Sequence, residues 1–440
     1  MTETQKILAE LRACESRNIL FQEADGSWPI VWERAKGVHV HDADGKKYLD
    51  LTAAFGVAAA GHANPNVVKA GQKQMETLLH AMGDVHPHAR KAELARKLSE
   101  ITFERWTGSP ELKAKNLKFK TGKVIFSNSG FEAVESALKT AILATKKHSI
   151  IAFEGGYHGL GYGALNVTHR NFFREPFDLQ LRRFGHFMPF PKKSPDLAIV
   201  EFQLRHLFRR ERVGAVLVEP VQARGGIHVP PEGFLPLLRK MCDEHGSLLV
   251  LDEIYTGFGR TGKMFACEHS QTVPDLICLG KALTGGFPLS ACVGRADVMD
   301  AAWPASTGEA IHTSTFLGHP VGCAMALAQI AEIERLKLCE RSAESGRFLL
   351  NELSKIEKLK FKVQIHARGL GLMAGIELTL PDGKPATEIA LGAIKKLLHG
   401  GYIFLPEGEH GNVISFTPPL TITKKQLQQA VEELMKVLNG

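Results

Sequence analysis

The chain has 440 residues, of which 44% are hydrophobic and 23% are charged, an ordinary composition for a globular protein. Its formal net charge of +7 is spread without a block of like charges, which favours an enzyme with anionic ligands over a nucleic-acid-binding protein. The seven cysteines form no C-x-x-C pair, which predicts reduced thiols and a cytoplasmic protein. A polar N-terminus and the lack of an eighteen-residue apolar run predict neither a signal peptide nor a membrane helix.

In the first two thirds of the chain, the pattern of predicted helices and strands changes at about residue 64. Residues 1–20 predict an amphipathic helix, and residues 29–51 predict a meander of short antiparallel strands. Helices and short apolar strands then alternate, with helices at 65–80, 90–103, 131–146, 200–210 and 231–245 and strands at 124–128, 150–154, 215–220, 248–253 and 276–280. This alternation predicts a mostly parallel sheet covered by helices on both faces.

The last part of the chain predicts a smaller unit. Its predicted elements are a helix at 318–357, strands at 368–378, 402–406 and 412–416, and a closing helix at 424–438. We therefore predict an α/β fold whose large domain covers residues 64–318. A small α+β domain is expected to form from both chain ends, residues 1–63 and 319–440.

Residues with useful chemistry follow the predicted parallel strands, at the edge where ligands bind in open α/β sheets. The first strand leads into SNSG at 127–130, which opens a helix whose backbone amides can hold a phosphate. The side chains that follow the later strands are Tyr157, His158, Glu219, Gln222, Asp252 and Lys281. A phosphate cradle, an aromatic ring, an amide, a carboxylate and a lysine together suit pyridoxal 5′-phosphate, which binds a lysine as a Schiff base.

Each of these residues has a predicted role. Lys281 would bind the cofactor and move the proton at the substrate α-carbon, and Asp252 would keep the ring nitrogen protonated. Tyr157 could stack on the ring, and Gln222 could donate a hydrogen bond to its hydroxyl. The other predicted cofactor contacts are Ser129, Gly130, Phe131, His158, Glu219 and Thr315. The nineteen histidines show no metal-ligand spacing, so we predict no metal.

From about residue 28 to residue 438, the chain resembles the class III (omega) aminotransferases of the fold-type I pyridoxal phosphate enzymes. The matching motifs, in order, are SNSGFEAVESALK, YHG, VEPVQARGG, LVLDEIYTGFGRTGKMFACEH, PDLICLGKALTGGFPLSACVG, STFLGHP and TPPLTIT. The resemblance implies transfer of an amino group to a 2-oxo acid such as pyruvate or 2-oxoglutarate. It also implies a homodimer with the site at the interface, in which Thr315 reaches the phosphate of the neighbouring subunit's cofactor.

Departures from the family pattern bear on the substrate. Ser415 and Leu160 stand where relatives that act on amino acids often carry an arginine for a carboxylate. A third arginine position is also lost, within 404–410. We therefore predict a donor whose reacting amine lies far from a carboxylate or has none, such as a polyamine, an amino sugar precursor or an omega-amino acid. Phe55 is a further candidate substrate contact.

Arg224 stands in VQARGG, where the family more often has an acidic or polar residue. It could replace the lost anchor in part, neutralise Glu219, or be an ordinary exposed loop residue. Tyr255 stands where glutamine is common, and the sequence gives that change no interpretation.

Two other functions are compatible with the same motifs to different degrees. Lys281 and Asp252 would serve an epimerase, an aminomutase, a decarboxylase or a phospho-lyase on the same scaffold equally well. A silent binding protein is disfavoured because both residues are present.

Overall fold

The computed structural model describes residues 1–108, 121–359 and 361–439. Its strands are β1 (Trp32–Lys36), β2 (His39–Asp42), β3 (Lys47–Asp50), β4 (Gly122–Ser127), β5 (Ser149–Phe153), β6 (Gly185–Met188), β7 (Val213–Val218), β8 (Leu248–Asp252), β9 (Leu276–Leu279), β10 (Ser290–Arg295), β11 (Gln364–Leu370), β12 (Met373–Thr379), β13 (Tyr402–Ile403), β14 (Leu405–Glu407) and β15 (Val413–Phe416).

Helices of seven residues or more in the described ranges are α1 (Glu3–Cys14), α2 (Pro65–Thr77), α3 (Ala89–Ser99), α4 (Gly130–Thr145), α5 (Asp196–Arg210), α6 (Phe234–His245), α7 (Ala296–Ala302), α8 (Pro320–Arg335), α9 (Leu338–Glu357), α10 (Thr387–His399) and α11 (Lys424–Asn439). Shorter helical turns lie at Glu100–Glu104, Arg105–Gly108, Tyr162–Leu165, Asn171–Arg174, Glu175–Gln180, Ala266–Ser270 and Lys281–Leu283. No helix in these ranges is both long and apolar enough to cross a membrane.

A seven-stranded sheet forms the centre of the fold, in the order β4-β10-β9-β8-β7-β5-β6. Strands β5 to β9 pair in parallel, whereas β10 runs antiparallel to both of its neighbours. Every residue of β5, β7, β8 and β9 is buried, as expected for parallel strands covered on both faces. The predicted α/β fold with a mostly parallel sheet is confirmed.

The two chain ends meet in a second, four-stranded sheet, β1-β2-β3-β13. In it β13 pairs in parallel with β3, so that Tyr402 lies opposite Leu49 and Ile403 opposite Asp50. A third sheet, β11-β12-β15-β14, consists of C-terminal strands alone. The domain boundaries at residues 63 and 318 stay predictions.

Two C-terminal elements differ from their predicted form. The helical stretch predicted from Gly318 to about 357 is two helices, α8 and α9, because Lys337 adopts a left-handed φ of 51° between them. The single strand predicted for 368–378 is a hairpin, which turns at Gly371 with φ 60°. A Cβ at Gly371 would lie 2.4 Å from the carbonyl carbon of Thr261, so this tight turn requires glycine. Strands β6 and β10 were not predicted from the sequence.

Candidate active site

A cavity of about 420 Å³ lies at the carboxyl ends of the parallel strands. The residues that line it are Gly130, Phe131, Tyr157, His158, Gly159, Leu160, Glu219, Ala223, Arg224, Asp252, Ile254, Tyr255 and Lys281. They come from the start of α4 and from the segments that follow β5, β7, β8 and β9. Five separate stretches of sequence are therefore brought together at one edge of the sheet, as the sequence predicted.

Lys281 follows β9 by two residues and adopts a left-handed φ of 37°. Left-handed backbone is costly for a residue with a side chain and is often found at functional sites. The Lys281 Nζ lies 4.8 Å from the centre of the Tyr255 ring. Burial lowers the pKa of the Lys281 amine, and the nearby carboxylates Asp252 and Glu219 oppose that shift. A lysine with a lowered pKa has a larger fraction of the neutral, nucleophilic amine.

Asp252 ends β8 and shares a hydrogen bond with His158, with 2.7 Å between Asp252 Oδ2 and His158 Nδ1. The other carboxyl oxygen accepts the backbone N–H of Ile254 at 3.1 Å. The His158 backbone N–H in turn donates to Thr168 Oγ1 at 3.0 Å. Both side chains of the pair are buried, so Asp252 is held in one orientation at the floor of the cavity.

The N-terminus of α4 forms another part of the cavity wall. Ser129 and Glu132 make a capping box, in which Glu132 Oε2 accepts the Ser129 N–H at 2.7 Å. Gly130 and Phe131 follow and line the cavity with the first turn of the helix. A Cβ at Gly130 would lie 3.0 Å from Ile254 Cδ1, so glycine gives the closest fit there. Ser129 itself does not line the cavity.

Glu219 joins the loops on two sides of the cavity. Its carboxyl oxygens accept the backbone N–H of Tyr157 at 3.0 Å and that of Ala223 at 3.2 Å. Burial raises the pKa of the Glu219 carboxyl to about 7. These bonds fix the Tyr157 backbone, and the Tyr157 ring packs edge-on against Phe173.

Four more predicted site residues, besides Ser129, lie outside this cavity. Gln222 lines a neighbouring cavity and donates from Nε2 to the carbonyl oxygen of Glu154 at 2.8 Å, so its position gives no support to the predicted bond with the ring hydroxyl. The Ser415 hydroxyl is buried and donates to the Leu405 carbonyl oxygen at 3.0 Å. Thr315 and Phe55 are exposed on the surface of the chain.

The structure adds two residues to the site. Tyr255 lines the cavity beside Lys281, at the position that the sequence left without interpretation. Glu407, on β14, forms an ion pair with Arg224, with 3.5 Å between Glu407 Oε2 and Arg224 Nε. Arg224 makes no ion pair with Glu219 among the described residues, which removes the support for that hypothesis. No motif in the sequence pointed to Glu407, because its segment departs from the family pattern.

The side chains and backbone of this cavity fit pyridoxal phosphate. The helix start at Gly130 and Phe131 suits the phosphate, and Tyr157 offers an aromatic face. The oriented carboxyl of Asp252 suits the ring nitrogen, and the buried amine of Lys281 suits the aldehyde. The cavity volume is within the range of small-molecule sites.

Comparisons with known proteins agree with this chemistry. The "Aminotransferase class-III" family pattern matches residues 20–438. The chain is 36% identical over 409 residues to the acetylornithine aminotransferase of Methanosarcina mazei. The aligned part covers 93% of this chain and 92% of the relative. It is 36% identical over 425 residues to the putrescine aminotransferase of Pectobacterium atrosepticum, covering 94% of this chain and 84% of the relative.

A solved transaminase structure also resembles this chain along almost its whole length. The amine transaminase of an uncultivated Pseudomonas species, solved in its PLP-bound form, superposes with a TM-score of 0.85 at 27% identity. The match covers 97% of this chain and 99% of that one. With a family match along almost the whole chain, this protein belongs to the class III aminotransferases, the pyridoxal phosphate-dependent family that the sequence motifs predicted.

Proposed function

We propose that this aminotransferase takes its amino group from an amine or omega-amino donor and passes it to a 2-oxo acid, pyruvate or 2-oxoglutarate. The observation that carries the donor class is the absence of an arginine at two positions near the cavity. Leu160 lines the cavity with an apolar side chain, and the Ser415 hydroxyl is used within the third sheet. A donor with a carboxylate beside its reacting amine would find neither of the usual anchors there.

The chain's residues divide the work of the reaction. When bound, the cofactor supplies a conjugated ring that accepts the electron pair left behind when a proton leaves the substrate. Lys281 would hold the cofactor through its Nζ, and the same Nζ would take the proton from the substrate carbon that bears the amine. Asp252 keeps a proton on the ring nitrogen, and His158 keeps Asp252 in place.

The remaining contacts position the cofactor. The backbone amides at Gly130 and Phe131 bind the phosphate with the dipole of α4 behind them. Tyr157 covers one face of the ring, and Glu219 holds the Tyr157 backbone. We propose that Ser129 contributes through its cap, which keeps the helix start in shape.

We also propose that the enzyme works as a homodimer in the cytoplasm. Thr315 is exposed and absent from the lining of its own cavity, which supports a contact with the neighbouring subunit's cofactor. Phe55 is 47% exposed beside a run of left-handed residues and could face the neighbouring site in the same way. All seven cysteines are free thiols, which suits a reducing compartment.

A donor panel tests the proposed donor class. Purified, cofactor-loaded enzyme is incubated with pyruvate or 2-oxoglutarate and with diamines, omega-amino acids and α-amino acids, and the formation of alanine or glutamate is measured. We expect diamines and omega-amino acids to give kcat/KM values at least about tenfold higher than those of α-amino acids, as one lost charged hydrogen bond predicts. Equal or higher values for α-amino acids would contradict the proposal.

A further inference from the structure

Positive charge collects at the amino edge of the central sheet, away from the cavity. Strands β5, β6 and β7 pair in parallel, so the segments that precede them lie next to one another. At the start of β5, the Ser149 N–H donates to the Arg212 carbonyl oxygen at 3.1 Å. The next residue, Ile150, donates its N–H to the carbonyl oxygen of Phe184 at 2.9 Å. The basic residues of these segments form what is here named the basic edge: Lys146, Lys147, His148, Arg182, Arg183, Arg209, Arg210 and Arg212.

Most of the charge on the basic edge is not neutralised by carboxylates. The residues of the edge that are exposed and always cationic, and that make no ion pair within the described chain, are Lys146, Arg182, Arg209, Arg210 and Arg212. The carboxylates beside the edge are already engaged. Asp178 pairs with Arg183, and Glu211 Oε2 accepts the Ser149 hydroxyl at 3.2 Å. The edge therefore offers several free cationic groups to an anionic partner.

Exposed aliphatic side chains flank the basic edge. Leu179 is fully exposed and stands three residues before Arg182, in the helical turn Glu175–Gln180. Ile142 is 46% exposed in the last turn of α4, one turn before Lys146. Positive charge beside exposed aliphatic groups is the combination by which a protein rests on an anionic lipid surface without crossing it.

The same charge would attract a nucleic acid, but the neighbouring side chains favour lipid. Nucleic-acid sites combine basic residues with aromatic rings that stack on bases. Phe177, in the turn that carries Leu179, instead packs its ring edge-on against that of Tyr162, with 6.2 Å between the ring centres. The aliphatic side chain of Leu179 suits the boundary between lipid headgroups and acyl chains. An anionic bilayer is therefore the partner that this surface fits best.

Docking through the basic edge leaves the candidate active site open. The cavity lies among the segments that follow β5, β7, β8 and β9, whereas the basic edge precedes β5, β6 and β7. The two surfaces are therefore at opposite ends of the parallel strands. A substrate in solution can reach the cavity while the basic edge is in contact with a membrane.

We propose that the basic edge docks this enzyme reversibly on the anionic headgroups of a phospholipid bilayer, and that Leu179 enters the boundary with the acyl chains. This inference goes beyond the proposed function and does not rest on it. The attraction acts between exposed charges, so salt weakens it. No part of the described chain has to cross the bilayer.

Co-sedimentation with vesicles tests the proposal on the cofactor-loaded enzyme. One set of vesicles holds equal parts of anionic phosphatidylglycerol and zwitterionic phosphatidylcholine, and the other set holds phosphatidylcholine alone. We expect the apparent dissociation constant to be at least about tenfold lower with the anionic vesicles. Raising the salt concentration from about 0.05 M to about 0.3 M should weaken this binding about tenfold or more.

Charge reversal identifies the surface that binds. The test variant reverses three exposed arginines of the basic edge, by Arg182→Glu, Arg209→Glu and Arg210→Glu together. The control variant reverses three exposed cations on α9, α10 and α11, by Arg347→Glu, Lys396→Glu and Lys425→Glu together. Both variants have the same net charge, so only the position of the change differs. We expect the test variant to bind anionic vesicles at least about tenfold more weakly, and the control to stay within about threefold of the wild type.

Two milder variants extend the test. Glutamine in place of the same three arginines serves if charge reversal impairs folding, and should weaken binding at least about fivefold. Leu179→Ser changes a fully exposed side chain and should weaken binding about threefold. Neither variant should change kcat or KM in solution, because the basic edge lies at the end of the strands opposite the cavity.

Each contrary result has a distinct meaning. No binding to anionic vesicles, equal binding to both kinds of vesicle, or equal losses in the test and control variants would overturn the proposal. Tighter binding to a random-sequence RNA than to the anionic vesicles, lost in the same test variant, would assign the basic edge to nucleic acid instead. Unchanged binding in Leu179→Ser would overturn the insertion of Leu179.

Discussion

The two ends of the cavity are built in different ways. At one, Asp252 ends β8, Lys281 follows the adjacent buried strand β9, and Asp252 shares a 2.7 Å hydrogen bond with His158. At the other, Arg224 on a loop pairs with Glu407 on a C-terminal strand, with 3.5 Å between Arg224 Nε and Glu407 Oε2. Asp252 and Lys281 thus lie at the ends of rigid parallel strands, where small displacements are costly, and Arg224 lies where two parts of the chain meet.

The largest effect is expected at Lys281. Lys281→Ala should lower kcat by at least about 10³-fold, because the side chain both holds the cofactor and moves the proton. Steady-state kinetics with the best donor of the panel measures this, and the visible spectrum of the protein shows whether covalent attachment is lost. Activity within tenfold of the wild type would remove Lys281 from the reaction.

Asp252→Asn should lower kcat by about 10²-fold to 10³-fold, because an amide cannot hold a proton on the ring nitrogen by charge. Asp275→Asn is the matched control, since Asp275 is equally buried but precedes β9, at the other edge of the sheet, and pairs with Arg239 and Arg295. The control should lose about 3 kcal/mol of stability in thermal unfolding while keeping kcat per folded molecule. Equal losses of kcat in both variants would contradict the assignment.

The meeting of Asp252 and Lys281 at one edge of the sheet could be predicted because it depends on local order along the chain. Asp252 ends one short apolar strand and Lys281 follows another by two residues, and parallel strands bring their ends to one edge whatever the rest of the fold does. Glu407 could not be predicted, because its meeting with Arg224 depends on how the C-terminal hairpin packs on the loop after β7. The hydrogen bond from Gln222 Nε2 to the Glu154 carbonyl oxygen also depends on tertiary packing, and the predicted role of Gln222 stays a prediction.

Gly159→Ala should weaken cofactor binding about tenfold and lower the free energy of unfolding by about 3 kcal/mol. The reason is that the new Cβ would lie 2.2 Å from Phe131 Cβ at the helix start. Gly383→Ala isolates the backbone contribution, since Gly383 also has a positive φ, of 84°, but open space around its Cβ position. This control variant should have a free energy of unfolding about 1 kcal/mol lower and an unchanged cofactor affinity. Cofactor titration and thermal unfolding are measured for both variants. Equal losses of cofactor affinity and stability in the two would contradict the role given to the contact between Gly159 and Phe131.

The smallest effect is expected at Ser415. Its hydroxyl donates to the Leu405 carbonyl oxygen and lies outside the cavity, so Ser415→Ala should cost about 1 kcal/mol of stability. The KM values for donor and acceptor should stay within about twofold of the wild type, because no substrate contact is removed. A large change in either KM would place Ser415 in the substrate site and weaken the contrast between the two ends.

The central claim is that the enzyme keeps the amino group of its donor until a 2-oxo acid collects it. The most direct test mixes the cofactor-loaded enzyme with an effective amine and no 2-oxo acid, and counts the carbonyl product per active site. We predict one equivalent of product and then no more, until added pyruvate or 2-oxoglutarate restarts the reaction and appears as its amino acid. Continued product formation without a 2-oxo acid, or racemised donor with no carbonyl product, would contradict this account and assign the site to a lyase or an epimerase.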